Sequence, residues 1–108
     1  QRLIRHIPVG ESVVDAILTL VRNGRPETSD IAGVPEQVAW GPGPRASQAL
    51  MLAVRARALL DGRLSPSIDD VLALAGPVLR HRMALTFAAR ADGVGLDEVI
   101  GRLTEPLI

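Results

Sequence analysis

The 108-residue sequence contains no lysine, no cysteine and no tyrosine, and each absence excludes a class of chemistry. Without lysine the chain has no P-loop lysine and no Schiff-base lysine, so we expect no nucleotide hydrolysis by this chain alone. Without cysteine it has no thiol nucleophile, disulfide or thiolate zinc site, and a reducing cytoplasm is compatible with this composition. Autonomous catalysis by these common routes is therefore not expected.

Nucleic-acid binding and membrane insertion are disfavoured by what is scarce. Trp40 and Phe87 are the only aromatic residues, and residues 41–82 carry six arginines against three aspartates, a basic excess too weak for a nucleic-acid-binding face. The longest apolar run, residues 49–54, is far shorter than the roughly 20 residues that cross a bilayer. Residues 1–6 lead into no secretory signal, and the missing initiator methionine indicates a piece of a longer protein. We expect one cytoplasmic domain over residues 1–108, with no nucleic-acid partner and no membrane insertion.

Four segments have the spacing of apolar residues that is typical of amphipathic α-helices. They cover residues 11–23, residues 44–61, a segment that begins near Ser65 or Ser67, and residues 96–103. The abundance of alanine, leucine and arginine supports the same interpretation, because these residues have high helix propensity. We predict an all-α fold, a small bundle of four to five helices.

The same spacing predicts which face of each helix is buried. In the central segment, a stripe widened by Leu50 and Val54 is expected to face inward, namely Ala49, Leu52, Ala53, Ala56, Leu59 and Leu60. In the other three segments the inward residues are predicted to be Val13, Val14, Ile17, Leu20 and Val21, then Ile68, Val71, Leu72 and Ala75, and finally Leu96, Val99, Ile100 and Leu103.

Three stretches do not fit a simple helical pattern. Gly76 and Pro77 are expected to interrupt the third helix, and residues 79–87 fit either a short helix or an alternating strand. We favour a helical turn that passes into a brief strand, which places a small two-stranded element near residues 82–87. Residues 24–43 are rich in glycine and proline and are expected to form a long irregular connection, a type of segment that is often functional.

Arg45 occupies an unusual position for a cation. The other three helices begin with acidic residues, which the positive end of the helix dipole stabilises, whereas the central helix begins with Pro44 and Arg45 and has no acid between Glu36 and Asp61. An arginine beside the free N–H groups of a first helical turn can receive an anion such as a phosphate. Charge placement leaves an alternative open, an ordinary surface arginine or an ion pair with an acid such as Glu36.

Four short sequence motifs resemble those of a known family. They are WGPGPRAS at 40–47, IDDV at 68–71, VLRHR at 78–82 and GVGLDEVI at 93–100, and together they span most of the chain. In this order they resemble the C-terminal lid of MoxR-type AAA+ ATPases. The resemblance implies that Arg45 is the sensor-2 arginine, which binds the γ-phosphate of ATP held by a neighbouring core domain. Pro42 and Gly43 depart from the small residue and serine that are common in the family, so the shape of the preceding loop is not implied.

The resemblance also implies what lies outside this chain. Walker A and B motifs, sensor 1 and the arginine finger belong to the AAA+ core, which precedes the lid in the family and is absent here, so no catalytic residue and no metal ligand is expected in residues 1–108. The intact protein would use ATP and Mg and couple hydrolysis to lid motion. It would form a hexameric ring, and it would mature or activate client proteins in the cytoplasm, in the manner of a chaperone. Its own core, neighbouring subunits and von Willebrand factor A domain proteins are the implied partners.

Several other residues could carry chemistry but have a simpler explanation. His81 has only His6 as a second histidine and no cysteine, which favours a structural role over a metal site. Ser47 lacks the strand-to-helix elbow of a hydrolase nucleophile. The acid pairs at 69–70 and 97–98 are expected to stabilise helix starts. Trp40 is expected to anchor the loop locally, with packing against the core domain or a ligand as the alternative.

A free-standing helical interaction module or regulator, with no nucleotide role, is the rival interpretation. It would hold a helix-turn-helix-like pair around Gly62, and duplex binding would then depend steeply on salt. An ATPase core encoded upstream in the same reading frame favours the lid, whereas a start codon just before Gln1 favours the module.

Overall fold

A computed structural model describes residues 9–108 as six α-helices, one 3-10 turn and a two-stranded sheet. In chain order the elements are α1 Glu11–Gly24, α2 Val34–Gln37, β1 Val38–Trp40, α3 Pro44–Leu60, α4 Ile68–Leu79, β2 Ala84–Leu85, α5 Phe87–Ala91, α6 Leu96–Thr104 and the 3-10 turn Glu105–Leu107. The predicted all-α fold with a brief strand element is confirmed, and within the described residues no helix is long and apolar enough to cross a bilayer.

The core lies among the four longer helices, α1, α3, α4 and α6. Helices α1 and α6 bury the faces that their periodicity predicts, with Val14 and Leu96 only partly covered. Ile17, Leu20 and Leu103 are at most 1% exposed, and burial of such a side chain stabilises the fold by about 1.5–3 kcal/mol before the entropy cost of ordering it. Helix α1 contacts α3, α4 and α6, so it lies at the centre of this packing.

Helix α3 buries a different face from the predicted one. Its core line is Ala46, Leu50, Val54 and Ala58, spaced four residues apart, and α3 packs along it chiefly against α4. Leu60 is 89% exposed, and Leu52 and Leu59 are at the surface as well. The prediction of the buried face was wrong because α3 has apolar residues on nearly every side. The spacing of apolar residues therefore did not identify which side is buried.

Helix α4 runs through Pro77 to Leu79, so the predicted interruption at Gly76 and Pro77 is wrong. A proline within a helix lacks the N–H that would donate to the carbonyl four residues earlier. Pro77 and Ala73 both lie on the exposed face of α4, where water can satisfy the unpaired Ala73 carbonyl. The helix therefore loses one hydrogen bond and continues for two more residues.

The small sheet joins the loop before α3 to the turn after α4. Strand β2 lies within the predicted stretch 82–87 and pairs antiparallel with β1, which comes from the connection 24–43 that was expected to be irregular. The Thr86 N–H donates to the Gln37 carbonyl at 2.8 Å and extends the contact between the two segments. The sheet thus brings residues about 45 positions apart into register, with Val38 opposite Leu85.

Helices α2 and α5 were not predicted. Arg102 of α6 donates a hydrogen bond to the Ala32 carbonyl at 3.1 Å and another to the Gln37 side chain, which fixes the segment containing α2. The Thr86 hydroxyl accepts from the Ala89 N–H at 3.1 Å and caps α5. Phe87, which alternation placed in a strand, begins α5 and is 80% exposed.

A buried carboxylate links the end of α3 to the start of α4. Asp70 has no exposed side-chain surface, and its Oδ1 accepts from Arg57 at 2.5 Å and from Arg63 at 2.6 Å. Its Oδ2 accepts from Arg63 at 2.8 Å and from the Ser67 N–H at 2.7 Å, as the third helical residue of a capping box does. The hydrogen bonds from Arg63, and then those from Ser67 and Arg57, hold the pKa of Asp70 well below its usual range against the opposing effect of burial.

Candidate functional site

The loop that leads into α3 lies directly on the end of α1. A Cβ atom placed on Gly41 would lie 2.4 Å from the Gly24 carbonyl oxygen and 2.7 Å from Arg25 Cα, both of them backbone atoms. Pro42 is fully buried beside Gly24. The approach to α3 is therefore fixed by close packing of backbone on backbone, although its composition suggested flexibility.

Substitution of Gly41 tests this packing. We expect Gly41→Ala to lower the free energy of unfolding by roughly 2 kcal/mol, because a methyl group has no space there unless the loop or α1 moves. Gly43→Ala is the matched control, since a Cβ at Gly43 meets nothing within 4 Å and its backbone is extended. Urea denaturation of the three proteins measures the difference. Equal stability of the two variants would mean that the loop does not depend on contact with α1.

Arg45 is the second residue of α3 and its side chain is exposed. Within residues 9–108 it forms no ion pair and no hydrogen bond, and the pair with Glu36 that the sequence left open is absent. Residues 1–8 contain no aspartate or glutamate that could serve instead. The first turn of α3 has no acidic residue. The guanidinium therefore stands beside a positive helix end with no side-chain carboxylate of this chain to neutralise it.

Arg45 lines a cavity of about 570 Å³ at the start of α3. The lining comes from the end of β1, the loop, the first turn of α3 and the turn after α4, namely Trp40, Gly41, Gly43, Pro44, Arg45, Ala46 and Arg82. Trp40 lines the cavity and is 56% exposed, so much of its indole is open to a ligand or a docked domain. Arg45, Arg82 and Trp40 are the only charged or aromatic residues in this lining, and most of its surface is apolar.

The chemistry of this lining suits an anion. Guanidinium groups donate planar pairs of hydrogen bonds to phosphate oxygens. The lining contains no carboxylate, which is the side chain that binds Mg²⁺, so these residues do not fit a metal site of their own. Over residues 9–108 there is no cluster of three or more histidines or carboxylates that could hold a metal ion.

The sequence singled out Arg45 but not Arg82, which lines the same cavity. Arg82 donates from Nη1 to the Val78 carbonyl at 2.9 Å and reaches the cavity from the turn that follows α4. The sequence feature that could have pointed to Arg82 was the arginine pair at 80 and 82 within the VLRHR run. The two arginines have different environments, however. Arg80 pairs with Asp97 at 3.0 Å.

The other candidate residues lie outside the cavity lining. His81 and Asp69 are exposed, and Ser47 is half-buried on α3. Asp97 lies at the start of α6 as predicted. Asp70 does more than stabilise a helix start, because it is the acceptor of the buried ion-pair cluster. None of these residues lines the cavity.

Comparison with known families decides the class of this domain. The sequence model of the AAA lid domain family matches residues 33–103, which include β1, the cavity and α6. The chain belongs to the AAA lid domain family. The match covers every element that builds the cavity around Arg45.

Relatives place this lid domain among MoxR-type proteins. It is 36% identical over 98 residues to Chaperone MoxR1 of Mycobacterium tuberculosis, covering 90% of this chain and 26% of that protein. It is 32% identical over 100 residues to the uncharacterized protein YeaC of Bacillus subtilis, covering 93% of this chain and 29% of that protein. The lid domain thus spans less than a third of the length of either relative.

A solved structure has the same fold. A crystal structure from Cytophaga hutchinsonii, provisionally described as that of an ATPase, superimposes with a TM-score of 0.87 at 24% identity. The match covers 94% of the lid domain and 31% of that chain. The predicted resemblance to the lid of a MoxR-type AAA+ ATPase is confirmed.

Proposed function

We propose that this lid domain supplies Arg45 as the sensor-2 arginine to ATP, which is held by an ATPase core elsewhere in the same polypeptide. The observation that carries the proposal is the position of Arg45, exposed in a cavity at the start of α3 without a carboxylate partner among residues 9–108. Membership of the AAA lid domain family supports the nucleotide as the anion that Arg45 binds.

The role of Arg45 follows from charge. The transferred phosphoryl group carries negative charge on its three equatorial oxygens, and catalysis of its transfer depends on positioning and electrostatic stabilisation. The guanidinium donates hydrogen bonds to these oxygens, and the start of α3 adds the positive end of its dipole. After hydrolysis the bond to the departing phosphate is lost, so the contact that holds the lid closed over the nucleotide is released. Arg45 thereby links the state of the nucleotide to the position of the lid.

The rigidity of the domain supports this coupling. Arg45 stands on a 17-residue helix that packs in the core, and the loop before it is fixed against α1. A force on the guanidinium is therefore transmitted to the whole domain instead of being absorbed by a mobile loop. Mg²⁺ would be bound by the phosphates and the core, since the cavity offers it no carboxylate.

The activity of the whole protein is a wider proposal. Because the lid domain covers only 26–29% of MoxR1 and YeaC, we assign the ATPase core to the part of the polypeptide outside residues 1–108. The full-length protein would be a cytoplasmic ATPase that assembles as a hexameric ring. It would mature or activate client proteins, with von Willebrand factor A domain proteins among its partners. The description of MoxR1 as a chaperone supports the proposed action on client proteins.

Nucleotide binding tests the assignment of Arg45. In the full-length protein we expect Arg45→Ala to weaken ATP binding about tenfold, since a hydrogen bond to a charged group contributes about 1.5–3 kcal/mol. ADP binding should change little, because ADP lacks the terminal phosphate. Isothermal titration with each nucleotide in the presence of Mg²⁺ measures both affinities.

Arg90→Ala is the control for loss of a positive charge. Arg90 is exposed on α5, has no carboxylate partner in the described residues and does not line the cavity. The Arg90→Ala variant should bind ATP and ADP with unchanged affinities. If Arg45→Ala affects ATP no more than Arg90→Ala does, Arg45 has no sensor-2 role, and an interaction module without a nucleotide role becomes the better account.

A further inference from the structure

A second cation, Arg82, shares the cavity with Arg45. Its place depends on the sheet, because β2 begins two residues after Arg82 and pairs with β1, and Trp40 at the end of β1 opposes Ala84. The turn that carries Arg82 is thereby held beside the loop that carries Arg45. Arg45 and Arg82, far apart in the sequence, therefore line the same cavity.

Arg82 is not satisfied by a carboxylate of its own chain. Within residues 9–108 five arginines pair with aspartate or glutamate, namely Arg22, Arg25, Arg57, Arg63 and Arg80. Arg82 forms one hydrogen bond in this part of the chain, from Nη1 to the Val78 carbonyl. The sequence has as many carboxylates as arginines, twelve of each, and residues 1–8 contain none of the carboxylates. The lack of a partner for Arg82 is therefore not due to a shortage of acids.

The bond to Val78 orients the rest of the group. A guanidinium has five N–H donors in a fixed planar fork, and fixing one nitrogen fixes the direction of the others. Nε and Nη2 of Arg82 have no hydrogen-bond partner in residues 9–108, and neither is a buried unsatisfied atom there. They remain available to a further hydrogen-bond acceptor.

We propose that Arg82 is a second nucleotide-binding residue, which together with Arg45 contacts the terminal phosphate of ATP. The inference rests on the proposed function of Arg45 and adds a residue to that site. Two like charges on one cavity repel each other, and a single monovalent anion would neutralise only one of them. A terminal phosphate carries about two negative charges at neutral pH and has several acceptor oxygens, which suits two guanidinium groups.

The competing explanation is that Arg82 only holds the turn after α4 through its bond to Val78. Arg82→Gln separates the two, because glutamine removes the charge but retains N–H donors for the Val78 carbonyl. Arg82→Lys retains the charge and loses the planar fork. Arg90→Gln removes a positive charge outside the cavity and serves as the matched control.

The test measures ATP and ADP binding by the full-length protein, with Mg²⁺, for these three variants and for Arg45→Ala. We expect Arg82→Gln to weaken ATP binding about tenfold and ADP binding much less, with an unchanged melting temperature. Arg82→Lys should recover part of the loss, and Arg90→Gln should bind both nucleotides as the unmodified protein does.

Two results would overturn the inference. One is an ATP affinity of Arg82→Gln equal to that of Arg90→Gln, and the other is an equal loss for ATP and ADP accompanied by a lower melting temperature. The variant Arg45→Ala distinguishes this failure from failure of the proposed function. If Arg45→Ala loses its preference for ATP while Arg82→Gln keeps it, only the role of Arg82 is wrong. If both variants keep the preference, both assignments are wrong.

Discussion

Asp70→Asn is expected to lower the free energy of unfolding of this domain by roughly 3 kcal/mol, the magnitude typical of removing one partner from a buried ion pair. Asp70 is fully buried and accepts from Arg57, Arg63 and the Ser67 N–H, so its loss leaves two guanidinium groups and a helix start without their acceptor. An asparagine has one acceptor oxygen in place of two and carries no charge. Urea denaturation measures the loss.

Asp69→Asn is the control for Asp70→Asn. Asp69 lies in the same first turn of α4 but is exposed, so its loss should cost less than about 1 kcal/mol, the size of a helix-dipole interaction. Equal destabilisation by the two variants would mean that the buried cluster does not fasten α3 to α4.

A fall in pH should remove the stabilisation that the Asp70 carboxylate provides. Because the pKa of Asp70 is lowered by folding, its contribution is fully present above the unfolded-state pKa of about 4 and is lost as the pH falls from there towards the folded-state pKa. The difference in stability between the unmodified chain and Asp70→Asn should therefore be constant above pH 5 and shrink below about pH 4. A difference that stays constant down to pH 2 would contradict the lowered pKa.

Arg45→Ala is expected to reduce ATP hydrolysis by the full-length protein on the order of a hundredfold at saturating ATP, as loss of a preorganised donor to a transition state does. Binding alone does not reveal this effect, because charge on the transferring phosphoryl group is redistributed in the transition state. Single-turnover rates with saturating protein separate the chemical step from nucleotide binding and release.

The fold of the domain should survive this substitution. Arg45 is exposed and makes no contact with a carboxylate in residues 9–108, so the melting temperature of Arg45→Ala should match that of the unmodified protein. Arg90→Ala should hydrolyse ATP at the unmodified rate. An unchanged single-turnover rate for Arg45→Ala would remove its proposed role in the chemical step.

The spacing of apolar residues and the charges at helix starts predicted the features of the fold that depend on neighbouring residues alone. Helices α1 and α6 have apolar stripes opposite polar faces, and each buries the predicted side. Arg45 was recognisable because charge at a helix start has a fixed preferred sign, and the sequence breaks that preference once. Gly62 has φ of 75° just beyond α3, the left-handed conformation that favours glycine after a helix end.

The parts that were missed depend on contacts between distant residues. Strand β1 exists because β2 pairs with it, and α2 is held by Arg102 from the other end of the chain. No local pattern in residues 24–43 reports either contact. Arg82 was missed for the same reason, since its place beside Arg45 follows from the register of the sheet. The buried face of α3 was ambiguous because most of its faces are apolar.

The observed orientation of α3 leaves three of its leucines at the surface. Leu52, Leu59 and Leu60 do not contribute to the core of this domain, although the sequence pattern assigned them to it. An interior role was predicted for them only because hydrophobicity alone cannot tell a buried stripe from a surface one on an apolar helix.

The position of the Arg45 side chain relative to bound nucleotide decides whether Arg45 is the sensor-2 arginine. The measurement is a crystal structure of the full-length protein with Mg²⁺ and a non-hydrolysable ATP analogue. We expect the Arg45 guanidinium to lie about 3 Å from an oxygen of the terminal phosphate. The assignment is contradicted if that guanidinium lies in solvent, or pairs with a carboxylate, while other residues alone bind the terminal phosphate.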